Sequence, residues 1–319
     1  MPATKPSPIE IVLPATSANL GPAFDAAGIA MRLHYRVRAK AAREFAIEAR
    51  GRDAEICRRI ENNLVLETYR NVLESAGKPI VSLALQVDNE IPIGKGLGSS
   101  AAARLAGIAL AAHFGALGWS DDAILDEAVR RECHGDNAAA CWLGGVTLVH
   151  SQGAVKLRVR AEWPLLVAVP DSALSTEHAR SVLPAQYSRP DVVTNVQSAM
   201  LLTAAFIEGQ PELIRFALED RIHQPYRGPL CPLLEPLRSL SGQTGVLGAA
   251  LSGSGPSVLV VLDPNGNAED TRRTIAAFLK ERGLEAELIL TSMETHGARD
   301  RRWVSGTADH ERRWPIPLP

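Results

Sequence analysis

The chain has 319 residues, enough for two medium domains or one large one with a substantial core. Apolar residues make up 46% and charged residues 22%, the balance of an ordinary soluble globular protein. A formal net charge of −2 excludes a global field that would draw the chain to nucleic acid or to an anionic membrane.

In chain order, IEIVLPA reads as a short strand ending at Pro14, followed by a Gly/Asn/Pro-rich loop over residues 16 to 28. Leu33, Tyr35, Val37 and Ala39 then alternate with Arg32, His34, Arg36 and Arg38, the pattern of a half-buried strand with one solvated face. Residues 43 to 61 are charge-rich and have no clear period. Residues 62 to 76 read as a helix stopped by Gly77-Lys78-Pro79. Val81, Leu83, Leu85 and Val87 alternate again, and that strand delivers the chain into IPIGKGLGSSAAA. Beyond the glycines, Leu97, Ala101, Leu105, Ile108 and Ala112 recur every three or four residues, so a helix is expected to begin near Ser99. Its Ala-rich face with Gly107 predicts close approach to a neighbouring element.

A second helix is expected from Ser120 to about Glu132, with Ser120 as N-cap and Asp121 and Asp122 at the positive end of the dipole. GGVTLVH reads as a strand. The sequence turns polar around residues 151 to 164, and the domain boundary is expected there, giving 1–162, 163–298 and a tail, 299–319. The second half alternates strand LLVAVP, a long helix from about Pro190 to Glu208, a helix near 211 to 221, strand SVLVVL, a helix near 269 to 282 and strand AELIL. No internal repeat or low-complexity tract is visible. Mixed strands and helices with hairpin-like neighbours predict an α+β fold rather than a doubly wound sheet.

Cys57, Cys133, Cys141 and Cys231 lie far apart in no metal-ligand spacing, so reduced structural thiols and a cytoplasmic location are expected. The opening MPATKPSPIE has no apolar signal-peptide region. The longest small and apolar stretch, Ala101 to Leu117, carries Arg104 and His113 and is too short and too polar to span a bilayer. The tail, with Arg299, Arg301, Arg302, Arg312 and Arg313 against Asp300, Asp309 and Glu311, is expected to be solvated.

Three motifs carry chemistry. In Pro92-Ile93-Gly94-Lys95-Gly96-Leu97-Gly98-Ser99-Ser100-Ala101-Ala102, glycines at alternate positions let the backbone wrap a ligand. The helix that follows offers unpaired N–H groups and a positive dipole end, so the segment reads as a phosphate cradle. It is not a Walker A loop, because Lys95 is followed by Gly96. A tight strand-to-helix turn is the alternative. The second motif, Pro14-Ala15-Thr16-Ser17-Ala18-Asn19-Leu20-Gly21-Pro22-Ala23-Phe24-Asp25, reads equally as a site or as an Asx-type turn. The third, Leu251-Ser252-Gly253-Ser254-Gly255-Pro256-Ser257, is either a second close backbone contact or a hairpin turn.

In order and spacing the three motifs together resemble the signatures of the GHMP kinase superfamily. Within it the chain looks most like the homoserine kinases, through Glu132-Cys133-His134-Gly135-Asp136-Asn137, Gly144-Gly145, Leu174-Ser175-Thr176-Glu177-His178-Ala179-Arg180 and Glu219-Asp220-Arg221-Ile222-His223-Gln224-Pro225-Tyr226-Arg227. The resemblance covers residues 9 to about 292. It implies a ribosomal protein S5 domain 2-like N-terminal domain joined to a ferredoxin-like α/β sandwich, with ATP between them and its triphosphate on residues 92 to 102.

It further implies Mg²⁺ held by Ser100 or Ser99 and by a glutamate before the His-x-Asp-Asn segment. Glu132 is the first choice, Glu127 competes, and Arg130 stands where mevalonate kinases carry their glutamate. The L-homoserine site would be Asn19, Asp25, His134, Arg180 and Arg227. Two arginines suit a carboxylate and Asp25 an ammonium. Asn137 replaces the aspartate regarded as the base in mevalonate kinases, so no general base is visible, and direct proton transfer toward the γ-phosphate is implied. Gly135 and Cys141 stand where many relatives carry prolines. A homodimer is expected, with neither nucleic acid nor membrane as partner. A kinase for a mevalonate-like alcohol and a nucleotide-binding pseudokinase remain as alternative readings.

Overall fold

A computed structural model describes residues 6–132 and 134–304. Its first sheet is built around β1 (Ile9–Ala18), buried along its whole length between β2 (Ala27–Ala41) and β11 (Arg302–Val304). The strand does not stop at Pro14, as the sequence suggested. Proline has no N–H to give to a ladder, and the chain absorbs it in a register shift between Pro14 and Ala15 before running on to Ala18. β2 likewise starts at Ala27, so the loop expected over 16 to 28 contracts to 19–26.

β2 is long enough to carry two partners on one edge. β4 (Leu83–Asn89) pairs with Tyr35–Ala41, and β5 (Val146–His150) with Ala27–Ile29. β3 (Ala46–Gly51) joins β4 in parallel, and β6 (Gly153–Lys156) folds back on β5, completing seven strands. The ambiguous stretch after residue 43 therefore holds β3 and the single turn α1 (Ala54–Cys57).

α2 (Leu64–Ser75), α3 (Ser99–Phe114), α4 (Asp121–Glu132) and α5 (Asp136–Leu143) fall close to the helices read from periodicity, apart from α5, which the sequence pattern does not predict. α3 is buried nearly all round, as a helix without a polar face must be. An added Cβ on Gly107 would meet the Val65 carbonyl and the Thr68 side chain of α2, which explains the small residues there.

The second half contains β7 (Pro164–Val169), α6 (Thr176–Ser181), α7 (Arg189–Glu208), α8 (Pro211–Ala217), α9 (Gln224–Arg227), α10 (Leu234–Arg238), β8 (Val246–Leu251), β9 (Val258–Leu262), α11 (Ala268–Glu281) and β10 (Glu287–Ser292). The four strands form an antiparallel sheet in the order β10-β7-β9-β8. LLVAV is apolar without a break because both faces are covered. Leu165, Val167 and Val169 join the large core that runs through the first sheet, whereas Leu166 and Ala168 pack with Leu237, Ile275 and Leu279 of α10 and α11. β8 is hard to see in the sequence because Gly248, Ala249 and Ala250 blur its period.

The first residues of the tail are not a solvated segment, as the sequence suggested, but join the first sheet. β11 pairs with β1, Arg302 bonds Asp121 at 2.8 Å, and Arg301 lies 3.0 Å from both Glu294 and His34. The open edge of β1 and the buried Glu294 carboxylate attract this segment out of solvent. Burial alone would raise the Glu294 carboxyl, but hydrogen bonds from His34 and the His296 N–H and the charge of Arg301 outweigh it and hold it at about 2. Cys133 and the tail beyond Val304, with Asp309, Glu311, Arg312 and Arg313, lie outside the described residues. No helix among the described residues is long and apolar enough to cross a membrane.

Candidate active site

β4 hands the chain to the glycine loop, which turns over a cavity of about 280 Å³. Gly94, Gly96 and Gly98 all have φ near +75° and all line that cavity, while Leu97 between them is fully buried in the core. The alternation is the reason for the motif: every second residue anchors, and every second one exposes bare backbone. A Cβ on Gly98 would fall inside the Thr16 hydroxyl, and one on Gly96 would overlap the Ser252 carbonyl. α3 then starts with no side-chain cap, so the N–H groups of Ser99, Ser100 and Ala101 face the cavity without helical partners.

The three motifs interlock through the backbone. Thr16 N–H bonds the Leu97 carbonyl at 3.1 Å, Gly253 N–H bonds Ala18 at 3.1 Å, and the Ser252 hydroxyl bonds Gly96 at 2.7 Å. Asn19 completes the weave. Its amide donates to the Gly253 carbonyl at 2.7 Å and accepts from the Asp25 N–H at 2.9 Å, and it sits at φ +69. Asn19 lines the cavity, but its amide is already engaged in holding the loop. Asn137 points in beside it, with its carbonyl oxygen receiving the Thr16 hydroxyl at 2.7 Å.

Lys95 departs from expectation. Its ammonium turns away from the cavity and donates to the carbonyls of Pro170 (3.0 Å), Asp171 (2.6 Å) and Ser172 (3.0 Å), just after β7. The loop thus borrows its lysine to tie the two sheets together. Pro92, Ile93, Leu97 and Ala102 do not line the cavity either: the last two are core residues.

At the foot of α4, the two glutamates separate cleanly. Glu127 is bonded by Arg131 at 2.6 Å and by Arg130, and it does not line the cavity. Glu132 does, and its Oε2 is buried with no hydrogen-bond partner. Burial pushes its carboxyl up to about 7, with His134 and Arg104 pulling the other way. An orphaned carboxylate oxygen and the Ser100 hydroxyl, on residues lining the same cavity, are a hard-oxygen set fit for Mg²⁺.

The opposite wall is charged. Arg180 forks onto Asp25, with bonds of 2.7 and 3.1 Å, so the two residues expected to bind opposite ends of a zwitterion here bind each other. Asp25 holds φ +52, a strained setting for a residue with a Cβ. Arg227 is 1% exposed, gives one bond to the Ala179 carbonyl at 2.9 Å and one to His223 at 3.2 Å, and lies over the Phe24 ring. His134 bonds Asp136 at 3.2 Å, which raises its pKa despite burial.

The structure therefore gathers Asn19, Asp25, Gly94, Gly96, Gly98, Ser99, Ser100, Ala101, Glu132, His134, Asn137, Arg180 and Arg227 around one cavity. Sequence reasoning misses Arg104 and Asp136, which line the cavity, and Thr16, whose hydroxyl holds Asn137. Arg104 had a signal: it is the one cation on an otherwise small and apolar helix face, four residues after Ser100.

Residues 63–145 match the GHMP kinases N terminal domain, and residues 202–281 match the GHMP kinases C terminal domain. A homoserine kinase of Solibacter usitatus is 41% identical over 293 residues, covering 86% of this chain and 95% of the relative. One of Desulfitobacterium hafniense is 38% identical, covering 91% and 99%. Among solved structures, homoserine kinase from Cytophaga hutchinsonii superposes with a TM-score of 0.79 at 25% identity, over 94% of this chain and 98% of its own. Mevalonate kinase of L. major in complex with R-mevalonate reaches 0.68 at 15% identity, covering 93% and 99%, which shows the shared fold. The α+β, GHMP-type architecture read from the sequence is thus the one present, and the chain belongs to the homoserine kinase family of ATP-dependent GHMP kinases.

Proposed function

We propose that this kinase transfers the γ-phosphate of ATP to the hydroxyl of L-homoserine, giving O-phospho-L-homoserine for threonine biosynthesis. The observation that carries the reading is the single cavity that has the glycine loop and Glu132 on one side and Asp25, His134, Arg180 and Arg227 on the other. A zwitterionic amino alcohol suits that set. Arg180 and Arg227 can fork onto its carboxylate, Asp25 can pair with its ammonium, and His134 can orient the reacting end. Asn19 serves by fixing Asp25.

Ser100 and Glu132 would hold Mg²⁺, which, when bound, screens phosphate charge and polarises the transferring group. The N–H groups of Ser99, Ser100 and Ala101 cradle the phosphates. The acceptor hydroxyl attacks the γ-phosphorus, the bond to the ADP oxygen breaks, and the hydroxyl proton passes to the transferred phosphoryl group. Asn137 is an amide and accepts no proton at neutral pH, so its part is to orient. A loose transition state depends mainly on positioning and charge neutralisation, which this site offers.

The nucleotide domain is taken as 1–162 and the second domain as 163–298. Homodimerisation is also proposed, on the row of Val192, Val196 and Met200 exposed along α7. The buried free thiols of Cys57, Cys141 and Cys231 suit the reducing cytoplasm.

A coupled ADP-release assay with homoserine, mevalonate, galactose or no acceptor, with and without Mg²⁺, tests the reading. Homoserine- and Mg²⁺-dependent release is expected. Efficient turnover of mevalonate or galactose without homoserine turnover would overturn the substrate. ATP binding with no turnover of any acceptor would leave a pseudokinase.

A further inference from the structure

We propose that Arg104 is a phosphate-binding residue of this kinase, holding Glu132 and Ser100 in the free enzyme and turning to the phosphates once a nucleotide is bound. The proposal rests on the placement of nucleotide and magnesium given above. Arg104 stands on α3 one turn after Ser100, and helical side chains lean toward the N-terminus, so its guanidinium lies over the start of the helix. Its Nε is 3.4 Å from the Ser100 hydroxyl and 3.6 Å from Glu132 Oε1, and its Nη1 donates to the Arg131 carbonyl at 3.2 Å. It therefore faces both residues expected to hold the metal, and it lines the cavity with them.

The other cations near the loop are engaged elsewhere. Lys95 is bonded to the carbonyls of 170–172, Arg131 to Glu127, Arg180 to Asp25, and Arg227 to Ala179 and His223. A phosphoryl-transfer site needs positive charge against the equatorial oxygens. In this chain the loop lysine does not supply it. Arg104 is the cation of the described cavity wall whose side-chain neighbours are a hydroxyl and a carboxylate expected to change partners on loading.

The arrangement has a two-sided consequence. In the free enzyme the guanidinium satisfies part of the Glu132 charge and opposes a second cation at that carboxylate. With a nucleotide present, the phosphate oxygens are the stronger, multiply charged acceptors for the same guanidinium. Arg104 should thus weaken metal binding to the free enzyme and strengthen nucleotide binding.

The test uses wild type, R104A, R104Q and R104K, each checked for folding by thermal melting. Equilibrium binding of ATP, ADP and AMP is measured with Mg²⁺ and without any acceptor, and Mn²⁺ binding is measured without nucleotide. We expect R104A and R104Q to lose roughly tenfold or more in ATP affinity, less for ADP and little for AMP, as removal of one charge-assisted contact would give. R104K should recover part of the loss. Mn²⁺ affinity of the nucleotide-free variants should rise. Unchanged ATP affinity, or an equal loss for ATP, ADP and AMP, would overturn the proposal and leave Arg104 a structural residue. Because no acceptor is present, the outcome is independent of whether homoserine is the alcohol phosphorylated. Should R104A melt early, R104Q and R104K carry the same comparison.

Discussion

The two walls of the cavity are held by different means. The wall proposed for the nucleotide is mainly backbone: three glycines at positive φ, helix-start N–H groups, and main-chain bonds that lock motifs lying far apart in sequence. The wall proposed for the acceptor is side chain: Asp25 and Arg180 neutralise each other, Arg227 is pinned by a carbonyl and a histidine, and His134 leans on Asp136. A backbone wall is preorganised but intolerant, because a Cβ at Gly96 or Gly98 collides with the neighbouring motifs. A side-chain wall can exchange partners, so binding a zwitterion there trades an internal ion pair for two external ones. The first should fail abruptly when mutated, and the second by degrees.

Gly98→Val should produce the largest effect. It forces a β-branched residue to φ +71 and drives a Cβ into Thr16, beside Asn137. Strain and overpacking of this kind cost on the order of 2–5 kcal/mol. ATP affinity should fall by a factor of roughly a hundred or more, in a protein whose circular dichroism still shows a fold. Near-wild-type ATP binding would refute the idea that the nucleotide wall is backbone-made.

Arg180→Ala comes next, and it separates the walls. Loss of the fork leaves Asp25 without that partner and the substrate carboxylate with Arg227 alone. A loss in kcat/KM of about 2–4 kcal/mol is expected, mostly in the homoserine KM, with Arg180→Lys intermediate. ATP affinity measured alone should stay within a few-fold. An unchanged homoserine KM would mean that the Asp25–Arg180 pair is structural, and the acceptor wall would then rest on Arg227.

This contrast also explains what can be read in the sequence. Glycines, prolines and short polar residues act on their own backbone, so PIGKGLGSS is legible as a tight turn of bare backbone before a helix from its residue types alone. Strands with strict alternation, such as residues 33 to 39, are legible for the same local reason. The extension of β1 past Pro14 is hidden because a bulge compensates for the missing N–H. Asn19 looks like a substrate ligand, yet its amide is engaged by Gly253, 234 residues away, and no local pattern encodes that. Arg104 is read from the sequence as a reason against a membrane span, although its place one turn after Ser100 on a small and apolar face is also a signal. Glu132 is favoured over Glu127 because Arg130 and Arg131 hydrogen-bond Glu127, whereas Glu132 keeps one buried oxygen without a hydrogen bond.

A pH titration sharpens the nucleotide wall further. The Glu132 carboxyl sits at about 7, raised by burial, so above that pH it is a carboxylate and below it carries a proton that must leave before a metal binds. Apparent Mg²⁺ affinity in the presence of ADP should drop roughly fivefold from pH 7 to pH 6, more steeply than ADP protonation alone allows. Glu132→Gln should remove that pH dependence along with most of the Mg²⁺ requirement for binding. A wild-type profile that is flat over this range would place the metal carboxylate elsewhere.

The smallest effect is expected at Lys95, and it is the most discriminating. A lysine inside a glycine loop is ordinarily read as a phosphate ligand, and removing such a ligand would cut ATP affinity by roughly tenfold or more. Here the ammonium is satisfied by three carbonyls at the exit of β7, so its work is to clamp the loop against the second sheet. Methionine keeps the length of the side chain and removes the donors. Lys95→Met should leave the carbonyls of the exposed Asp171 and Ser172 to water, with only that of the buried Pro170 losing its partner, and so cost only about 1 kcal/mol. That corresponds to a fall in Tm of roughly 1–2 °C, with ATP affinity changed less than about threefold. Arg104→Ala should show the reverse, a normal Tm with weakened ATP. If instead Lys95→Met loses ATP binding while keeping its Tm, the lysine leaves its carbonyls for the phosphate when nucleotide arrives, and the nucleotide wall would contain a second partner-exchanging side chain beside Arg104.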